Sequence, residues 1–266
     1  MIKILNNAFK AIKEEIFLYP CLGLVSKKNS GCHKDMNYKT FLKSYKVLKA
    51  YLRNIYNNQN NITSFSDLNK IGIIYEQLMF KATNNINTHK GLIFAFGIFF
   101  YCYISRSSDE QEVLNKYISN FCKSLKQLDY NKINSIGAKL YIKHNVKSAR
   151  HIAVEGYKVV FEILEFYKSN IANLKISQRY KNYFLLLKCV LAIEDTTLIN
   201  KVGYDKYLNL KFEIQKNFDL IYTNNYDDMF YKTIYNFNNY AIKNNISPGG
   251  AADIFVILLF LIKEKY

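Results

Sequence analysis

The spacing of the apolar residues constrains this chain more than any other feature. Phe41, Tyr45, Leu48, Leu52 and Ile55 step by 4, 3, 4 and 3. Leu114, Ile118, Phe121, Leu125 and Leu128 repeat that rhythm, as do Tyr180, Phe184, Leu187 and Leu191, and Tyr207, Leu210, Ile214, Phe218 and Ile221. Side chains three and four apart share one face of a helix, so each run is an apolar stripe that has to be buried. No stretch alternates cleanly enough to suggest a half-buried strand. No internal repeat and no Pro- or Ser-rich linker divides the 266 residues. The expectation is an all-α fold: a single globular multi-helix domain over residues 1–266, with about nine or ten helices. Asn57–Asn61 reads as a loop, and Ser66 and Asp67 as the start of the helix that follows.

Composition narrows the function classes. Half of the residues are hydrophobic and 22% are charged, which excludes a disordered chain. The 37 Lys and Arg outnumber the 21 Asp and Glu, for a net charge of +16. Such a charge attracts polyanions, but only Arg53, Arg106, Arg150 and Arg179 are arginines, the residue type that reads base edges. The lysine surplus accompanies many Asn, Ile and Tyr and reads as compositional drift, so no nucleic-acid partner is expected. Five Cys, an odd number with no paired spacing, argue against a disulfide framework or a Cys-based zinc site and favour a reducing, cytoplasmic setting. Residues 1–18 mix Lys3, Lys10, Lys13, Glu14 and Glu15 with apolar residues as an amphipathic helix does, not as a signal peptide does. The longest apolar run, Leu92 to Ile104, is thirteen residues. That is short of the ~20 a membrane span needs, so it reads as a buried core helix and no membrane partner is expected.

Against this drifting composition the scarce residues are informative. Five of the ten Gly, two of the four His and one of the two Pro fall in three polar islands, Gly23–Met36, Asn85–Gly91 and Ser247–Asp253. The third feeds Ser247-Pro248-Gly249-Gly250 into an apolar helix. That arrangement suits an anion held by free backbone N–H groups, and equally an ordinary capped helix start. The second gathers Asn87, Thr88, His89 and Lys90 just before the most apolar helix, as a polar site or as a cap with a solvated lysine. The first sets His33 and Asp35 two apart beside Asn29, Ser30 and Gly31, as a phosphate or metal loop or as a solvated turn. Glu76, Arg150 and Asp195 are further candidates, each with a plain reading as a surface or capping charge.

Taken in order, the islands resemble the triphosphoribosyl-dephospho-CoA synthase family, which makes the prosthetic-group precursor of citrate lyase and malonate decarboxylase. The residues that carry the resemblance are Gly23-Leu-Val, Asn29-Ser-Gly, His33-Lys-Asp-Met36, Thr40-Phe-Leu and Ser44. They continue through Gly72, Glu76, Met79, Ala82-Thr83, Asn87-Thr-His-Lys-Gly91, Arg150, Ala153, Gly156, Asp195-Thr196, Gly203 and Ser247-Pro-Gly-Gly-Ala-Ala-Asp253. The chain also departs from the family pattern. Leu22 replaces a proline, Arg150-His151-Ile152 an Arg-Gly-Glu, Asp195-Thr196-Thr197 an Asp-Thr-Asn, Lys201-Val202-Gly203 an Arg-Gly-Gly, and Asn84-Asn85 a glycine-rich step. A catalytically weakened or non-catalytic nucleotide-binding paralogue is the alternative those changes raise.

The resemblance implies a transfer of the triphosphoribosyl group of ATP to the 2′-hydroxyl of 3′-dephospho-CoA, with release of adenine. The product would pass to a transferase that modifies an acyl carrier protein. An oxocarbenium-like transition state wants a carboxylate near C1 and a base for the hydroxyl. The triphosphate wants Mg²⁺, cations and backbone donors. On this reading Glu76, His33 and His89 are the catalytic candidates, and Asp35 and Asp195 the Mg²⁺ ligands. The substrate-binding set is Asn29, Ser30, Gly31, Asn87, Thr88, Lys90, Arg150, Ser247, Gly249, Gly250 and Asp253.

Overall fold

The computed structural model describes residues 2–223, 226 and 228–266. Among the described residues there are thirteen α-helices and no strand. These are α1 (Ile2–Phe17), α2 (Tyr38–Asn57), α3 (Phe65–Ala82), α4 (Lys90–Ile104), α5 (Gln111–Phe121), α6 (Ile136–His144), α7 (Ala149–Val154), α8 (Lys158–Phe166), α9 (Gln178–Ala192), α10 (Thr196–Val202), α11 (Tyr204–Tyr222), α12 (Asp228–Lys243) and α13 (Gly249–Glu264). The fold is all-α, as the periodicity predicts. The count exceeds nine or ten because α6, α7, α8 and α10 have only six to nine residues each. A helix of two turns shows too little of the period to be read from sequence.

Local chemistry sets the ends. Asn37 caps α2 in a capping box with Thr40, and Ser64 does the same for α3 with Asp67. The second start lies two residues before the Ser66 that sequence suggests, because the cap is the serine three before the acidic residue. The stripe through Leu125 and Leu128 outlasts its helix. α5 stops at Phe121, and Lys123–Gln127 continues as a 3₁₀ turn.

α4 and α13 form the centre. Most residues of both are buried, as the two longest apolar runs require. They pack side by side and run the same way: Asp253 lies against Gly91, Phe260 packs edge-on against Phe96, and Tyr266 meets Tyr103 at the far end. α2, α3 and α5 surround α4, while α1, α8, α9 and α10 surround α13. Parallel packing brings the two N-termini to the same end of the core, and their positive dipole ends with them. Both helices start in polar islands, so the second and third islands meet there.

Candidate functional site

The first island is tied to the third by backbone. Gly23 has φ +74°, and a Cβ there would lie 2.1 Å from the carbonyl oxygen of Ile246. Only glycine permits both that conformation and that approach. Asn29 Oδ1 accepts from the Gly31 N–H, and Cys32 N–H donates to the Gly23 carbonyl, which closes the loop. The loop brings His33 to α13: its Nε2 lies 2.8 Å from Ser247 Oγ.

All three islands line one cavity of about 130 Å³. His33 and Met36 come from the first; Asn87, Thr88, His89 and Gly91 from the second; Ser247, Gly249, Ala252 and Asp253 from the third. Glu15 of α1, Thr197 of α10 and the apolar side chains of Leu24, Phe41, Leu92 and Val256 complete the wall. Gly91 is required at this spot. A Cβ on it would fall 2.1 Å from Asp253 Oδ2, so its absence is what lets the Asp253 carboxylate rest on the first turn of α4.

The charges in the cavity are displaced from their ordinary states. Burial, then the neighbouring Lys201, holds His33 down at about 4, with Asp35 opposing. Lys201 Nζ stands 3.3 Å from His33 Nε2 and 3.3 Å from Cys32 Sγ. An ammonium only donates, so Nε2 is the bare nitrogen of a neutral ring and Nδ1 carries the hydrogen. Burial also lowers His89 to about 3. Its Nδ1 lies 2.7 Å from Ser44 Oγ, and its Nε2 is buried with no protein partner. Burial raises Asp253, with Asp195 and Glu15 adding to the effect. Glu15 is raised by burial from the ordinary 4.5 to about 8.

The other candidates have different surroundings. Asp195 is fully buried. Its Oδ1 accepts from the N–H groups of Thr197 and Leu198, and its Oδ2 from that of Ala251, at 2.8–2.9 Å. Burial raises its pKa, and these backbone donors, with Gly250 among them, pull it back. Asp195 therefore clips the N-termini of α10 and α13 together and supplies the anion that the Ser247–Gly250 turn attracts. That corrects two expectations. Both Asp195 oxygens accept backbone N–H groups, which gives the carboxylate a place at the helix ends and not in a metal shell, and the α13 start is not a free nest for a triphosphate. Asp35 is exposed, 3.9 Å from His33 Nδ1. Among the described residues no three His, Cys, Asp or Glu side chains gather as a metal-ligand set. The protein's own residues therefore do not fit a resident Mg²⁺ held by Asp35 and Asp195.

Glu76 and Lys90 pair with each other at 3.2 Å, and neither lines the cavity wall. Arg150 lies on α7 and donates to Ser135 Oγ, while the neighbouring Ile152 packs against the core. Asn29, Ser30 and Gly31 shape the loop that carries His33, which exposes Lys27, Lys28 and Lys34. Sequence reading passes over Glu15. Its signal is position: Ala8, Ile12 and Glu15 are spaced as one helical stripe, and all three are buried. A carboxylate on the core face of an amphipathic helix is the anomaly that marks it.

Comparison with known proteins identifies the family. The family model described as ATP:dephospho-CoA triphosphoribosyl transferase matches residues 2–265. Protein CitXG of Leuconostoc mesenteroides subsp. cremoris is 31% identical over 97% of this chain, which covers 58% of that longer protein. The probable 2-(5''-triphosphoribosyl)-3'-dephosphocoenzyme-A synthase of Streptococcus mutans is 26% identical, over 95% of this chain and 93% of its own length. The 2-(5''-triphosphoribosyl)-3'-dephosphocoenzyme-A synthase of Haemophilus ducreyi is 26% identical, over 99% and 89%. No solved structure matches. With a family model matched from end to end and a cavity built from the residues that carry the resemblance, the chain belongs to the ATP:dephospho-CoA triphosphoribosyl transferase family.

Proposed function

We propose that the protein transfers the triphosphoribosyl group of ATP to the 2′-hydroxyl of 3′-dephospho-CoA, releasing adenine and making the prosthetic-group precursor used by citrate lyase. The observation that carries this reading is the convergence of the three polar islands on one cavity, whose lining includes both a carboxylate, Asp253, and an imidazole, His33. The carbon–nitrogen bond at C1 of the ATP ribose breaks, with its electron pair leaving on adenine. The 2′-oxygen of the acceptor bonds to C1 and surrenders its proton. Asp253 is the carboxylate that stabilises the cationic sugar. The positive ends of α4 and α13 favour its ionised form against the cost of burial. His33 Nε2 is the proton acceptor, because the ring is neutral at pH 7.

The cavity of about 130 Å³ is well below the ~300–1,000 Å³ of a site that engulfs a whole ligand. Only the reacting end of ATP enters it. The triphosphate stays at the mouth, among Lys27, Lys28 and Lys34 of the first loop, Lys201 and Lys90, with Mg²⁺ carried on its phosphates as part of the substrate. Asn87, Thr88 and Ser247 offer the uncharged polar contacts of the wall. No helix among the described residues is long and apolar enough to cross a membrane. The proposed setting is the cytoplasm, where the product is handed to the transferase that loads an acyl carrier protein. The test is adenine release from MgATP with and without 3′-dephospho-CoA, with the coupled product identified by mass. Release that does not depend on the acceptor, or none at all, refutes the reading.

A further inference from the structure

Two residues of the cavity wall each carry a buried polar atom with no partner among the described residues. One is Oε2 of Glu15, a side chain only 6% exposed. The other is Nε2 of His89, 4% exposed. Buried polar atoms are almost always paired, so two orphans on residues that line the same small cavity point to a ligand that brings its own donors and acceptors. The rest of the wall sets the apolar Leu24, Met36, Phe41, Leu92 and Val256 beside polar groups such as Asn87, Thr88 and Ser247. A flat ring with a polar edge suits that lining; a phosphate does not. Resting on the function proposed above, we propose that the cavity takes the adenine end of ATP and that Glu15 is the acid that protonates the departing base.

In this step the bond between C1 and the adenine ring nitrogen breaks and its electron pair goes to adenine. The Glu15 carboxyl proton moves to a ring nitrogen of the base, so adenine leaves neutral. Glu15 becomes a carboxylate as the sugar carbon gains positive charge. The acceptor's hydroxyl proton goes to His33, and solvent reprotonates Glu15 after product release. Both protons are accounted for and no further reactant is needed.

The division of labour between the two carboxylates follows from their positions. Asp253 sits in the first turns of α13 and against the first turn of α4, where two helix ends favour an anion. Glu15 is near the C-terminal end of α1, where a helix end favours no anion, and burial holds its proton on to about pH 8. The titratable groups facing it from the other elements are Asp253 of α13, His33 of the first loop, His89 before α4, and Cys21. The histidines titrate near 4 and 3, and the thiol near 12. Asp253 is the other carboxyl that burial raises, so a fall in rate near pH 8 reports Glu15 only where Glu15→Gln abolishes it.

Two measurements test the assignment. Glu15→Gln keeps the shape and removes the proton. It should lower kcat roughly 10²- to 10⁴-fold, the usual weight of general acid catalysis. Its affinity for ATP should stay within about threefold, and the fall in kcat above pH 8 should vanish. A kcat within about threefold of the natural protein overturns the proposal, as does a rate loss matched by lost ATP affinity. The second measurement needs no turnover: free adenine is titrated onto the natural protein and onto Glu15→Gln. The natural protein should bind adenine less tightly as pH rises through 8, and the variant should not change. Adenine binding that is absent, or flat with pH, in the natural protein overturns the proposal even if the variant fails to fold. A natural protein that binds adenine in this way yet releases none from ATP refutes the transfer reaction and leaves the base pocket standing.

Discussion

Replacing Asp195 should damage the fold before it damages chemistry. Its carboxylate accepts three backbone N–H groups at 2.8–2.9 Å from the starts of two helices. Asp195→Ala leaves all three donors buried and empty. Each unsatisfied buried donor costs about 1–3 kcal/mol. Water entering the vacated space and a small opening of the helix ends recover part of that, which leaves about 3–5 kcal/mol. Asp195→Asn is milder. Its oxygen still serves Thr197 and Leu198, but its NH₂ group faces the N–H of Ala251, donor against donor. One charge-assisted bond of about 1.5–3 kcal/mol is lost. Urea denaturation at pH 7 followed by far-ultraviolet circular dichroism reads both variants. The order expected is natural protein, then Asn, then Ala, with the midpoint shifted and the slope unchanged. A metal ligand predicts the opposite pattern, unchanged stability with activity lost and partly restored by excess Mg²⁺. Asp195→Ala within about 1 kcal/mol of the natural protein would falsify the clip.

Three further outcomes follow. Glu15 is held neutral by burial, from 4.5 to about 8, so its contribution to stability is full below pH 4.5 and is lost as pH rises through 8. Between pH 4.5 and 7.5 the natural protein should therefore lose on the order of 4 kcal/mol relative to Glu15→Gln; parallel stability curves for the two would refute the buried proton. Lys90→Met should weaken ATP roughly 10- to 150-fold if Lys90 leaves its Glu76 partner for the triphosphate, the weight of about 1.5–3 kcal/mol for a charged hydrogen bond. Calorimetry finding less than a threefold change would return Lys90 to the role of a solvated ion pair. Gly91→Ala gains up to about 1 kcal/mol of helix propensity but forces the Asp253 carboxylate away from a Cβ placed 2.1 Å from it. The expected result is near-unchanged thermal stability with at least tenfold lower kcat, and full activity would show that Asp253 can move without consequence.

How much of this could be read from the chain alone depends on the range of the interaction. The 3–4 spacing of apolar residues is local information, so the stripes of α2, α9 and α11 and the two buried runs of α4 and α13 were legible, and with them the all-α class. The short helices α7 and α10 were not, because two turns hold too few residues to display a period. The rarity of Gly and His marked the three islands, and the family resemblance ordered them; Gly23 and Gly91 stand where a backbone and a carboxylate approach too closely for a Cβ. The roles inside the islands depended on tertiary contacts. Asp195 and the Ser247–Gly250 turn each look like half of a phosphate site in sequence. Only the meeting of α10 with α13 shows that they satisfy each other. Glu15 looks like one more surface charge on an amphipathic helix until α1 packs on α13 and turns it into the cavity. Sequence carries helix, face and rarity, because those depend on neighbours a few residues away. Which carboxylate is left dry, unpartnered and protonated is decided by residues more than 200 positions apart, whose contact exists only in the folded chain.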